Sequence, residues 1–152
     1  MALPPSNIKR ARGTKNMTLL ETLNTTDLFA ASIGAHLTTI REGYARAEMD
    51  VEPHHINGGG VCQGGAIFTL GDLTFAGAAN SHGTLCLGTN CQIHYVTSAR
   101  LGDHLIAECH ELSGRKLPLL ESRITNQDGV LIALMTGECY RKDKPFPYDA
   151  LM

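Results

Sequence analysis

A membrane span is the first thing this chain lacks: nowhere in its 152 residues is there an apolar run of about 18 or more. An excess of one charge sign is missing too. The 13 Lys and Arg against 15 Asp and Glu leave a formal net charge of −2, which gives no electrostatic footprint for nucleic acid. The five cysteines (Cys62, Cys86, Cys91, Cys109, Cys139) are odd in number, contain no C-x-x-C pair and follow no secretory signal, which argues against a disulfide framework or a zinc site. They read as small buried hydrophobes. Along an extended run, the odd separation of Cys86 and Cys91 predicts opposite faces of a strand, so that the two cannot act together. Absent as well are a G-x-S-x-G elbow, a P-loop, a Rossmann fingerprint and a helical H-x-x-x-H, and no metal site is expected. What remains is one compact domain with a real core, allowed by the length and a 43% hydrophobic content, with no internal repeat.

Charge is scarcest in the middle of the chain, where Asp72 is the only formally charged residue between Glu52 and Arg100. The segment around it, Gly64 to Asn80, is apolar or small on all sides, as expected of a helix wrapped by other structure. Burial there penalises the ionised carboxylate and raises its pKa, so the group is paired, capped, or held in place because chemistry uses it.

The ends differ in composition from this centre. Residues 1–16 hold Lys9, Arg10, Arg12 and Lys15, a Pro4-Pro5 pair and no acid, and read as a disordered basic tail, with a transit peptide as the other reading. Residues 17–142 read as the domain, and 143–152, with Pro145 and Pro147, as an extended tail. Within the domain, Leu19, Leu20, Leu23, Leu28 and Phe29 predict one or two short helices, with Thr26 or Asp27 as a cap and Gly34 as a stop. Gly43 to Val51 alternates, with Ala45, Ala47, Met49 and Val51 on one face, and predicts a half-buried strand. Four further strands are expected at about 85–96, 104–112, 117–125 and 130–140. The breaks Arg100 to Asp103, Ser113-Gly114 and Asn126 to Gly129 are short enough to join antiparallel neighbours. Short helices, a strand, a long apolar helix and four strands give an α+β fold with an antiparallel sheet.

Gly64-Gly65 marks the start of the long helix, where first-turn N–H groups lack helical partners and glycine lets a ligand approach the backbone. Such a terminus stabilises negative charge on a carbonyl oxygen, although the glycines also suit a tight turn and close packing. Eight residues of helix separate Gly64 from Asp72 by about 12 Å, too far for one substrate atom to meet both. Two antiparallel helices about a twofold axis bring Gly64 of one chain beside Asp72 of the other. Asn57, in the glycine-rich loop before the helix, offers an amide donor or simply turn chemistry. His54 and His55 beside it are adjacent, and adjacent histidines rarely converge on one atom.

Taken together, His55-Ile56-Asn57-Gly58, Cys62-Gln63-Gly64-Gly65-Ala66-Ile67-Phe68-Thr69-Leu70-Gly71-Asp72 and Phe75-Ala76-Gly77-Ala78-Ala79-Asn80 resemble the signature of hotdog-fold acyl-CoA thioesterases, most closely the phenylacetic-acid-degradation branch. The resemblance spans about Gly43 to Tyr140. It implies a long central helix wrapped by an antiparallel sheet, homodimers that assemble into homotetramers, and an acyl-CoA substrate in place of any separate cofactor. It also implies a cytoplasmic location and hydrolysis to a free acid and coenzyme A, with an aromatic or medium-chain acyl group. By position it puts the catalytic carboxylate on Asp72, the carbonyl-polarising amide on Gly64 and the loop asparagine on Asn57. Gln63 stands where many members have histidine; it can donate a hydrogen bond but cannot take a proton. Gly65 and Thr89 are further substrate contacts on this reading, and Arg115, Lys116, Arg141 and Lys142 are candidates for the coenzyme A phosphates. A non-catalytic acyl-CoA-binding module and a hotdog dehydratase are the rival classes.

Overall fold

The computed structural model describes residues 17–148, so the basic tail expected at 1–16 lies outside it. Helix α1 (Leu19–Thr26) opens on a capping box, in which the Thr18 hydroxyl accepts from the Glu21 N–H and the Glu21 carboxylate accepts from the Thr18 N–H. Asp27 caps the short α2 (Leu28–Ser32), as the sequence suggested, accepting from the Ala30 N–H at 3.0 Å. Strands β1 (His36–Arg41) and β2 (Tyr44–Asp50) form a hairpin, and a 3-10 turn (Pro53–His55) and loop lead to α3 (Gly64–Asn80). Four strands follow: β3 (Thr84–Tyr95), β4 (His104–Ser113), β5 (Leu119–Thr125) and β6 (Leu131–Pro145).

All six strands join one antiparallel sheet in the order β1-β2-β4-β5-β6-β3, and α3 packs against the sheet, touching every strand. This is the α+β arrangement of a central helix and wrapping sheet. The predicted face of β2 is buried, with Ala45, Ala47 and Met49 fully inaccessible. These small side chains let the helix come close: a Cβ on Gly77 would stand 2.7 Å from the Ala45 Cβ. The buried Thr74 hydroxyl is satisfied by the Gly71 carbonyl and by Ser122 on β5.

Four expectations are corrected. Strand β1 was not foreseen, because its register shifts between Leu37 and Thr39. That bulge puts Leu37 and Ile40, an odd separation apart, opposite Ala47 and Ala45 on the same face, which breaks the alternation that marks a strand. The same device acts on β3, where a shift between Gly88 and Asn90 leaves Cys86 and Cys91 opposite Arg141 and Gly137. The two cysteines therefore share the helix-facing side, against the prediction from their spacing. The break at Arg100 to Asp103 does not join neighbours: β3 lies at the sheet edge beside β6, while β4 sits between β2 and β5. The segment between them is tied down by Cys62 N–H to the Ala99 carbonyl and Gly102 N–H to the Val51 carbonyl. Finally, β6 continues to Pro145 and Phe146 is buried against the core, so residues 143–148 belong to the fold and not to a tail.

Candidate active site

Helix α3 is buried nearly all round but leaves one open stripe, in which Gly65 and Asp72 are exposed and Phe68, Thr69 and Ala76 are half-buried. The 3.6-residue period brings these positions into line. Asp72 is thus not enclosed by its own chain, as the surrounding apolar sequence suggested; it opens onto a cavity of about 740 Å³. The apolar walls of that cavity come from both sides, Leu23 and Leu28 from α1 and α2, Leu85 and Leu87 from β3, and Phe146 from the end of the chain. Partial desolvation by these groups, and then the negative charge of Asp27, raise the Asp72 carboxyl above its ordinary pKa of 3.8. The side chain still meets solvent in a single chain.

The start of the same helix faces a different concavity. Gly64 and Asn57 line a cleft of about 370 Å³ together with Tyr95 and Val96. The Gly64 N–H has no hydrogen-bond partner among the described residues, whereas its carbonyl accepts from the Tyr95 hydroxyl at 2.9 Å. A Cβ on Gly64 would lie 2.8 Å from that hydroxyl oxygen, so glycine is what allows this close approach. Asn57, for which the sequence left two readings open, shows the turn chemistry. Its Oδ1 accepts from the Gly59 and Val61 N–H groups and holds the loop, and its Nδ2 is left as a free donor beside Gly64.

Gln63 is the N-cap of α3, and its side-chain oxygen accepts from the Gly65 N–H. That leaves the Gly64 N–H, one residue earlier, as the open donor at the terminus. His55 is buried, with Nδ1 accepting from the Glu52 N–H at 2.9 Å; His54 is exposed and packs ring against ring with it at 4.0 Å. Neither histidine lines the Asp72 cavity.

Thr89 occupies the bulge of β3 and lines the Asp72 cavity, its hydroxyl donating to the Glu138 carbonyl. The cationic candidates sit elsewhere. Arg115, Lys116 and Lys142 surround a cleft of about 300 Å³ that includes neither Asp72 nor Gly64. Lys116 pairs with Asp143 at 2.7 Å, and Arg141 is held by Glu111 and by the Arg115 carbonyl, which makes Arg141 a structural contact rather than a free cation. The cysteines behave as buried hydrophobes: burial pushes the Cys62 thiol up to about 11 and the Cys139 thiol up to about 12. Sequence reasoning missed Asp27 as a member of the Asp72 cavity, since its capping role accounts for it locally and only the tertiary placement of α2 turns it toward α3. Among the described residues no group of three or more His, Cys, Asp or Glu is gathered to hold a metal ion, and no helix is long and apolar enough to cross a membrane.

Residues 59–133 match the family model of the Thioesterase superfamily. A protein of Archaeoglobus fulgidus, named provisionally as an esterase, is 41% identical over 116 residues, 76% of this chain and 75% of its own length. The acyl-coenzyme A thioesterase PaaI of Escherichia coli is 31% identical over 116 residues, 76% of this chain and 83% of its own. The solved structure of the E. coli PaaI protein from the phenylacetic acid degradation operon superposes with a TM-score of 0.75 at 26% identity, covering 84% of this chain and 99% of that one. A Streptococcus mutans protein solved with acetyl CoA bound gives a TM-score of 0.69 at 25% identity, over 72% of this chain and 90% of its own. Six antiparallel strands around one long helix, the solved neighbours and two relatives above 30% identity agree: the chain has the hotdog fold and belongs to the thioesterase superfamily.

Proposed function

We propose that this chain is an acyl-CoA thioesterase whose active sites lie between two copies of it. The observation that carries the reading is the division of one helix into two half-sites: an unpaired N–H at Gly64 in one cleft, and a perturbed carboxylate at Asp72 in another. About 12 Å of helix separates them, so neither cleft alone holds a carboxylate and an oxyanion donor. A second chain packed antiparallel on the open stripe of α3 supplies each cleft with what it lacks. Support for that partner comes from β3, which leaves one edge of the sheet unpaired, and from Leu87, Tyr95 and Val96, apolar or aromatic side chains about half exposed along it.

In the assembled site the thioester carbonyl accepts from the Gly64 N–H, with the Asn57 amide as a second donor. Negative charge that develops on the oxygen meets donors already aligned at a helix N-terminus. Asp72 of the other chain then takes a proton from a water that attacks the carbonyl, or attacks the carbonyl itself to form an anhydride that water hydrolyses. In both cases the carbon–sulfur bond breaks, the thiolate takes up a proton, and a free acid and coenzyme A leave. Gln63 holds the Gly65 N–H and contacts the substrate through its remaining amide hydrogens, and Gly65 and Thr89 line the acyl path. Arg115 and Lys116 supply exposed positive charge for the coenzyme A phosphates. On this reading the dimers pair into tetramers and the protein acts in the cytoplasm.

The test is hydrolysis of a panel of acyl-CoA thioesters, read by thiol release. Asp72→Asn and Asp72→Ala are expected to remain folded oligomers and to lose at least about a hundredfold in kcat/KM, the scale of a lost acid, base or nucleophile. Binding of acyl-CoA with no hydrolysis by the wild type would make the protein a binding module instead, and full activity in either variant would remove Asp72 from the chemistry.

A further inference from the structure

We propose that Asp27 sets the charge of the acyl group this protein accepts, excluding acyl chains that end in a carboxylate and admitting uncharged ones. The inference rests on the thioesterase reading above and concerns the same cavity. Among the described residues, Asp27 and Asp72 are the only charged side chains that line the 740 Å³ space, and they enter it from different elements. Among the described residues no lysine, arginine or histidine lines it. Asp27 is also held in place. Its Oδ1 accepts from the Ala30 N–H and its own N–H donates to the Leu23 carbonyl, so the carboxylate is fixed at the junction of α1 and α2 with its second oxygen uncommitted. An acyl tail occupying the cavity therefore meets apolar walls and a second negative charge that no described residue offsets. A terminal carboxylate there is repelled and desolvated at once, whereas a hydrocarbon or aromatic tail gains burial.

The same placement lets Asp27 act on Asp72 directly. On α3 itself no other residue carries a charge. From β3 and β6 the titratable groups near Asp72 are Cys91 and Cys139, both raised by burial and both neutral in the physiological range. Burial raises the Asp72 carboxyl most, and among the described residues Asp27 is the charged group that raises it further. Removing that charge shifts the ionisation of Asp72 to lower pH.

The experiment compares glutaryl-CoA with 5-methylhexanoyl-CoA, which share a shape and differ by one negative charge, using the full chain. Asp27→Asn and Asp27→Ser keep a capping oxygen and delete the charge; Asp27→Glu keeps the charge and weakens the cap. Wild type should favour the neutral substrate, and both neutral variants should narrow that preference by at least about fivefold, the scale of one like-charge contact near solvent. Asp27→Glu should retain the wild-type preference, and the acid limb of kcat/KM for 5-methylhexanoyl-CoA should move to lower pH in Asp27→Asn. Folded Asp27→Asn with the wild-type preference and the wild-type acid limb overturns the inference while leaving the thioesterase reading intact. Failure of the wild type to hydrolyse these two substrates or any other member of the acyl-CoA panel overturns that reading instead.

Discussion

Asp72 is a carboxylate kept in an environment that favours its protonated form, and this has a consequence for stability as well as for catalysis. Its folded-state pKa lies above the unfolded value of about 3.8. The folded protein therefore holds this proton more tightly than the unfolded chain, and stability falls as pH rises from the unfolded value through the folded one, then stays lower. Asp72→Asn should accordingly melt at a higher temperature than wild type at pH 7, and the difference should shrink as the pH falls below about 4. A lower melting temperature for Asp72→Asn at pH 7 would mean that the ionised carboxylate stabilises the fold. The sequence exposed this residue because it is the single charge across nearly fifty residues. Asp27 was legible only as a cap, since nothing in the chain shows that α2 folds over α3. Gln63 was visible as a departure from the family pattern, but its backbone-capping role depends on the exact path into the helix, which composition does not encode.

Among the elements, α3 fixes most of the geometry because it lies so close to the sheet. Gly77 faces Ala45 of β2 with no room for a methyl group, and Ala45 belongs to a strand paired on both sides, so it cannot retreat. Gly77→Ala should cost about 1–3 kcal/mol, measured by chemical denaturation, through overpacking that outweighs the better helix propensity of alanine. A neutral or stabilising result would show that the helix can lift from β2 without penalty. The long helix and the alternating β2 could be read from the chain because each obeys one period throughout. Strand β1 and the facing of Cys86 and Cys91 could not, because a bulge adds one residue and inverts every later inside–outside assignment. The strand order escaped for a different reason: short breaks imply neighbours, yet the Val96 to Asp103 segment crosses to the end of β2 and is held there by backbone hydrogen bonds.

At the scale of the whole molecule, a single chain presents two half-sites on one helix, an open helical stripe and an unpaired sheet edge, and in the dimer we propose a second copy completes all of them at once. Combining subunits tests this shared site most directly. Gly64→Pro deletes the amide donor, and the position tolerates proline: it is the first residue of α3, and Gln63 before it is extended at φ −63°, ψ 133°, the conformation proline requires of its predecessor. The Tyr95 hydroxyl must shift, which its exposed ring allows. Asp72→Asn deletes the carboxylate. Each variant alone should be nearly inactive in acyl-CoA hydrolysis. Purified mixed dimers, verified by mass, hold one site with both defects and one with neither, and should recover about half the wild-type activity per dimer. Two folded parents whose verified mixed dimers stay inactive would contradict the shared site.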